Sequence, residues 1–173
     1  MKKIKTIGVY VIFILSFLSH FMYDIFPNPL FSILFPVNES IWEHMKLLVT
    51  PVIIYSLIEY FIYKKKNIPY NNFILSYAIS FIVSIIVYLI IYLPVHLIFG
   101  HNLLFSISLL FIIFILIEVI SYKIMNYKEI KYTNIIGFGM IILIYIIFWY
   151  LTYYPFENML FYDTTSNSYG IKK

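Results

Sequence analysis

The chain contains no cysteine and no arginine. Without cysteine there is no disulfide framework, no thiolate metal site and no cysteine nucleophile. Without arginine the planar guanidinium fork that grips phosphates and base edges is missing, which argues against a nucleic-acid partner despite a formal net charge of +4. Charge of either sign is scarce. Only 12% of the 173 residues are charged, about half the share in ordinary globular proteins, so a water-facing surface of the usual kind cannot be built. Five glycines are too few for a collagen-like chain, and 62% hydrophobic residues are too many for a disordered one. Walker loops, dinucleotide fingerprints, H-E-x-x-H helices and G-x-S-x-G elbows are all absent.

What the chain has in quantity is long apolar sequence, with a mean hydropathy of +0.91. About 20 mostly apolar residues cross the roughly 30 Å of bilayer hydrocarbon as a helix. Five such runs occur, at 4–23, 41–63, 73–92, 103–122 and 133–154. They are continuous, whereas barrel strands would alternate in segments of about ten. The fold class expected is an all-α integral membrane protein, a bundle of five transmembrane helices forming a single domain over 1–173. Its partner is then the lipid bilayer. The first run follows Lys2, Lys3 and Lys5 as a secretory signal would, but Phe17-Leu18-Ser19-His20-Phe21 offers no small-residue cleavage site. It reads as an uncleaved first span.

Lysines set the expected orientation. Lys2, Lys3 and Lys5 precede the first span, Lys64 to Lys66 follow the second, and Lys123, Lys128 and Lys131 join the fourth to the fifth. With five spans all nine fall on one side, which the positive-inside rule makes the cytoplasm. The amino terminus is then cytoplasmic and the carboxyl terminus, with a polar tail at 155–173, extracytoplasmic. Residues 24–40 carry Pro27, Pro29 and Pro36, with a short apolar centre that lies at the interface or dips back. Residues 94–102 form the next outer connection, with Gly100 ending a helix. Pro51 is expected to kink the second span, and Gly137 and Gly139 to permit a close helix contact.

Under this topology His20, His44, His96 and His101 lie near the outer face with Asp24, Glu39, Glu43, Glu157 and Asp163. Histidine and carboxylate are ligands for zinc and also the common general acids and bases. The densest group is Pro36-Val37-Asn38-Glu39-Ser40-Ile41-Trp42-Glu43-His44. At helical spacing Glu39 stacks over Glu43 and Ser40 over His44. His20, His44 and Glu43 are the candidate metal ligands, for a divalent ion such as zinc. Glu43, His44 and Glu39 are the candidate catalytic groups, and Asn38, Ser40, Trp42 and Asp163 the candidate binding residues. A structural account competes with this one: Ser40-x-x-Glu43 is a capping box, Asn38 an earlier cap, Lys46 a partner for Glu43, and Trp42 a belt aromatic. Glu59 and Glu118 sit at similar depth, each about a turn from the lysine side, where they either form a polar relay or pair with lysines.

The Asn38–His44 block resembles the signature of a family of small uncharacterised bacterial membrane proteins, common in Firmicutes. Similar proteins carry a histidine near the end of the first helix, as at His20, and a tail like Phe161-Tyr162-Asp163 with Tyr169-Gly170. The resemblance spans the whole chain and implies a five-helix protein of the bacterial cytoplasmic membrane. It brings no activity. A looser similarity links the chain to membrane hydrolases that hold zinc among their helices, but their seven-helix length and closely spaced histidine pair are missing here. Three function classes follow: a protein whose outer His/carboxylate cluster docks a ligand or membrane-protein partner, an outward-facing metal-assisted hydrolase or transferase for a lipid or envelope substrate, and a transporter or channel subunit.

Overall fold

A computed structural model describes residues 1–171. Five helical segments are long and apolar enough to cross a membrane. The first is α1 (Lys2–His20). Two short helices, α2 (Met22–Ile25) and α3 (Pro29–Leu34), fill the proline-rich connection. The second segment is composite: α4 (Ile41–His44), a 3-10 turn (Met45–Leu48) and α5 (Thr50–Lys65). Then come α6 (Phe73–Phe99), α7 (Leu103–Met125) and α8 (Thr133–Tyr153). A small antiparallel pair, β1 (Tyr162–Asp163) with β2 (Ser168–Tyr169), folds the tail.

The helices pack in the order α5–α1–α7–α6–α8, with α3 laid against α8. The 3-10 turn plugs the middle, touching α1, α6 and α7, and Met45, Lys46, Leu48 and Val49 are fully buried. The outer faces are greasy instead: Phe61, Ile90, Leu104 and Ile135 are all more than 60% exposed. A contiguous apolar exterior of this kind fits lipid and not water. Gly137 sets one contact, since a Cβ there would stand 2.5 Å from the Leu75 backbone. Gly139 has nothing among the described residues within 4 Å, so the close approach of α6 and α8 uses one glycine of the two.

Two boundaries differ from the sequence reading. The second segment is broken rather than kinked, with Val49 at φ −115 and ψ −60. Pro51 begins α5 in its first turn, because its ring excludes a preceding helical carbonyl and its missing N–H costs nothing there. The third segment runs through Pro94 to Phe99, about two turns beyond the expected end. It stops at Gly100, whose φ of +73 and N–H bond to the His96 carbonyl close the helix.

Candidate metal centre

α1 and α5 run antiparallel, so the lysines at the start of α1 and the end of α5 share one end of the bundle. His20 and His44 share the other. There the two imidazoles meet, Nε2 to Nε2, at 3.2 Å. Glu39 Oε2 stands 3.6 Å from His20 Nε2 and 3.5 Å from His44 Nε2. Four tetrahedral ligands about 2.0–2.1 Å from a zinc ion stand about 3.3–3.4 Å from one another. The three edges of the trio match that spacing.

Local structure around the start of α4 places His44 and Glu39. Ser40 is the N-cap of α4, with extended backbone, and its hydroxyl accepts the Glu43 N–H at 3.3 Å. Its carbonyl accepts from His44 Nδ1 at 2.8 Å. A carbonyl only accepts, so Nδ1 carries the proton and Nε2 turns its lone pair toward His20, the outer-sphere arrangement typical of metal-binding histidines. Glu39 lies before the cap, outside the helix, which frees its carboxylate to swing over the rings. The polar contact from His20 is the main cause holding the Glu39 carboxyl below the ordinary glutamate range; partial burial opposes it, and His44 adds to the lowering. Among the described residues, no partner reaches His20 Nδ1, although that atom is buried.

Glu43 is elsewhere. Its side chain is 2% exposed and 2.5 Å from Lys46 Nζ. The Thr152 hydroxyl donates to its Oε1 at 2.7 Å, and the Val37 N–H to its Oε2 at 3.1 Å. Lys46 in turn donates to the Ser32 carbonyl at 2.6 Å and to Thr152 at 2.8 Å. This is a buried network that ties α3, α4 and α8 together, and Glu43 lies in it rather than in the His20–Glu39–His44 group. Of the expected set His20, His44 and Glu43, the two histidines meet, and Glu39 rather than Glu43 stands beside them. The helix starts only at Ile41, so Glu39 lies before it and does not stack over Glu43.

The other expected binding residues form the cradle. Asn38 accepts the Ser40 N–H at 2.9 Å through Oδ1 and donates through Nδ2 to the Gly170 carbonyl at 2.8 Å. Gly170 has φ +65, and a Cβ there would meet Pro155 and the Thr152 carbonyl at 3.1 Å, so a side chain would push the tail off. Trp42 donates its backbone N–H to the Leu160 carbonyl at 2.9 Å and packs its ring on Phe148 and Phe161. Asp163 is 3% exposed. Desolvation pushes its carboxyl up, but bonds from the Ser166 hydroxyl, the Thr165 and Ser166 N–H groups and the Glu39 N–H outweigh this and hold it low. Asp163 thus shapes the hairpin and steadies the Glu39 backbone, and it is not a ligand in the trio.

The trio opens on a cavity of about 230 Å³. Its walls include Phe17, Ile41, Leu47 and Leu110, with Tyr88 and Tyr92 on one side and His101 among the lining residues. In the sequence His101 was placed only near the outer face, with no link to His20 or His44. Only the long α6, turning at Gly100, brings it there. His96 instead stacks on Tyr92, with ring centroids 5.5 Å apart.

No curated protein and no solved structure matches the chain. A model of a family of unknown function, DUF6512, matches residues 1–171. The chain therefore belongs to that family.

Proposed function

We propose that this is a multi-pass protein of the bacterial cytoplasmic membrane, amino terminus inside, that binds a divalent metal such as zinc at its outer face through His20, Glu39 and His44. The metal holds the polar head of an amphiphilic ligand whose apolar part fills the cavity beside it. The observation that carries this reading is the trio's edge lengths of 3.2, 3.5 and 3.6 Å, which suit one ion touching all three atoms. Two histidines and a carboxylate leave a fourth position open, as in sites that bind exchangeable ligands. The lysine clusters support the orientation, and the exposed apolar helix faces support the bilayer. Elemental analysis of purified protein tests it. One zinc per chain is expected in the wild type, with loss in His20→Ala and His44→Ala variants that keep their helical spectrum; equal metal in all three would remove the site.

A second reading, metal-assisted hydrolysis or group transfer on a lipid or envelope substrate, is favoured by His101. An imidazole on the same cavity wall is placed to carry a proton for a metal-bound water or leaving group. Glu43 has no part in this chemistry, because Lys46 and Thr152 occupy it. Metal-dependent turnover abolished by His101→Ala, with metal content unchanged, is the result that would select this reading over simple binding.

A further inference from the structure

At the end of the bundle away from the histidines, three charged side chains lie deep among α1, α5 and α7. Lys5 is 4% exposed, Glu59 0% and Glu118 2%. The Lys5 ammonium is 2.9 Å from Glu59 Oε2 and 3.0 Å from Glu118 Oε2. An ammonium has three N–H bonds to give. Those of Lys5 go to Glu59 Oε2, to the Tyr77 hydroxyl at 3.1 Å and to Ser121 Oγ at 2.8 Å. Glu59 also accepts from the Tyr63 hydroxyl at 2.6 Å and from the Tyr77 hydroxyl. Glu118 has the nearby charge but, among the described residues, no hydrogen-bond donor on either oxygen.

Two carboxylates against one ammonium leave a net negative charge in low-dielectric surroundings, an expensive arrangement until one more positive charge arrives. The two acids are not equivalent. Glu59, with three donors, is built to be a carboxylate. Glu118, with none, is the member that gains from a proton. It also borders a cavity of about 410 Å³ between α1 and α7, walled by Val9, Tyr10, Phe111 and Ile115. A metal cation is poorly served there. Hard cations want six or more oxygens, whereas this cavity is largely apolar and Lys2 and Lys5 also line it.

We propose that Glu118 is a proton-binding site, a carboxyl within the helix bundle that takes up and releases one proton through the α1–α7 cavity. The groups facing it are Lys2 and Lys5 from α1, Tyr55, Glu59 and Tyr63 from α5, Tyr77 from α6, and Ser121 and Tyr122 from its own helix.

The probe is dicyclohexylcarbodiimide, an apolar reagent that enters bilayers and reacts with protonated carboxyls. The acid O–H adds across one C=N bond, oxygen to carbon and proton to nitrogen, and the acyl group then migrates to nitrogen as a stable N-acylurea. The adduct keeps every atom of the reagent. Full-length protein in phosphatidylcholine vesicles is treated across a pH series and mapped by peptide mass spectrometry. One reagent mass on Glu118 is expected, falling about tenfold per pH unit once the carboxyl ionises and absent in Glu118→Gln. Because fragmentation locates the adduct on the wild type, the result does not depend on how that variant folds. Labelling of Glu59 in place of Glu118, labelling independent of pH, or an unmodified Glu118 at acid pH would each overturn the proposal.

Discussion

Removing the Glu43 carboxylate strands a lysine in the centre of the fold. Lys46 is 0% exposed, and its strongest partner is the carboxylate 2.5 Å away. Breaking a buried pair from one side typically costs about 3–5 kcal/mol, because the remaining charge keeps its desolvation penalty without its counter-ion. In Glu43→Ala the ammonium still reaches the Ser32 carbonyl at 2.6 Å, Thr152 at 2.8 Å and, weakly, the Phe35 carbonyl at 3.3 Å. Those acceptors place the cost near the lower bound, about 3 kcal/mol. The orphaned Val37 N–H adds about 1 kcal/mol. Replacing both partners by methionine removes the charge itself and should recover most of the loss, since apolar substitutes for buried ion pairs are often neutral or better. The assay is a double-mutant cycle by reversible unfolding in detergent, with zinc content measured on every folded variant. The reasoning fails if Glu43→Ala is as stable as wild type, or if the double methionine variant is no better than the single alanine. It fails differently if folded Glu43→Ala loses zinc while His20, Glu39 and His44 are intact, because Glu43 would then belong to the metal site.

Three further outcomes are expected. Gly137→Ala should cost about 1–3 kcal/mol as the new methyl forces α8 off the Leu75 backbone, while Gly139→Ala should be neutral or gain up to about 1 kcal/mol; equal effects in thermal melts would refute the single close contact. Asp163 has a lowered folded pKa, so its contribution is present above the unfolded value of about 3.9 and is lost as pH falls through the folded one. Asp163→Asn should therefore melt below wild type at neutral pH, with the gap closing under acid below about pH 4, and a gap independent of pH would contradict this. A cytoplasm-active reporter fused after Lys66 or Lys131 should give signal and one after His101 should not; the reverse pattern would invert the orientation.

The five helices were legible because hydrophobic length is a crude and strong signal. The meeting of His20 with His44 was legible too, as two antiparallel helix ends joined by a connection long enough to let them pack. What the sequence hid was the geometry between residues 38 and 50. Helical spacing put Glu39 above Glu43, but the Ser40 cap starts the helix only at Ile41, which leaves Glu39 over the imidazoles and sends Glu43 to Lys46. Lys46 was legible as a partner for Glu43, but nothing in the apolar run around it showed that α3 and α8 would supply further acceptors. Lys5 was read as part of a topology cluster alongside Lys2 and Lys3, yet one helical turn of burial separates its role from theirs. Proline at position 94 looked like a helix end; within a helix packed on two neighbours and exposed on its third side, the missing bond is tolerated.

The central claim is that one metal ion is held by His20, Glu39 and His44. Zinc-edge X-ray absorption on the full-length protein, loaded with one equivalent of zinc and freed of excess, reads the coordination shell itself. The account predicts four nitrogen or oxygen neighbours at about 2.0–2.1 Å, with the outer-shell scattering of two imidazoles, reduced to one in His44→Ala. A shell of oxygens alone, or a spectrum unchanged by His44→Ala, would contradict it.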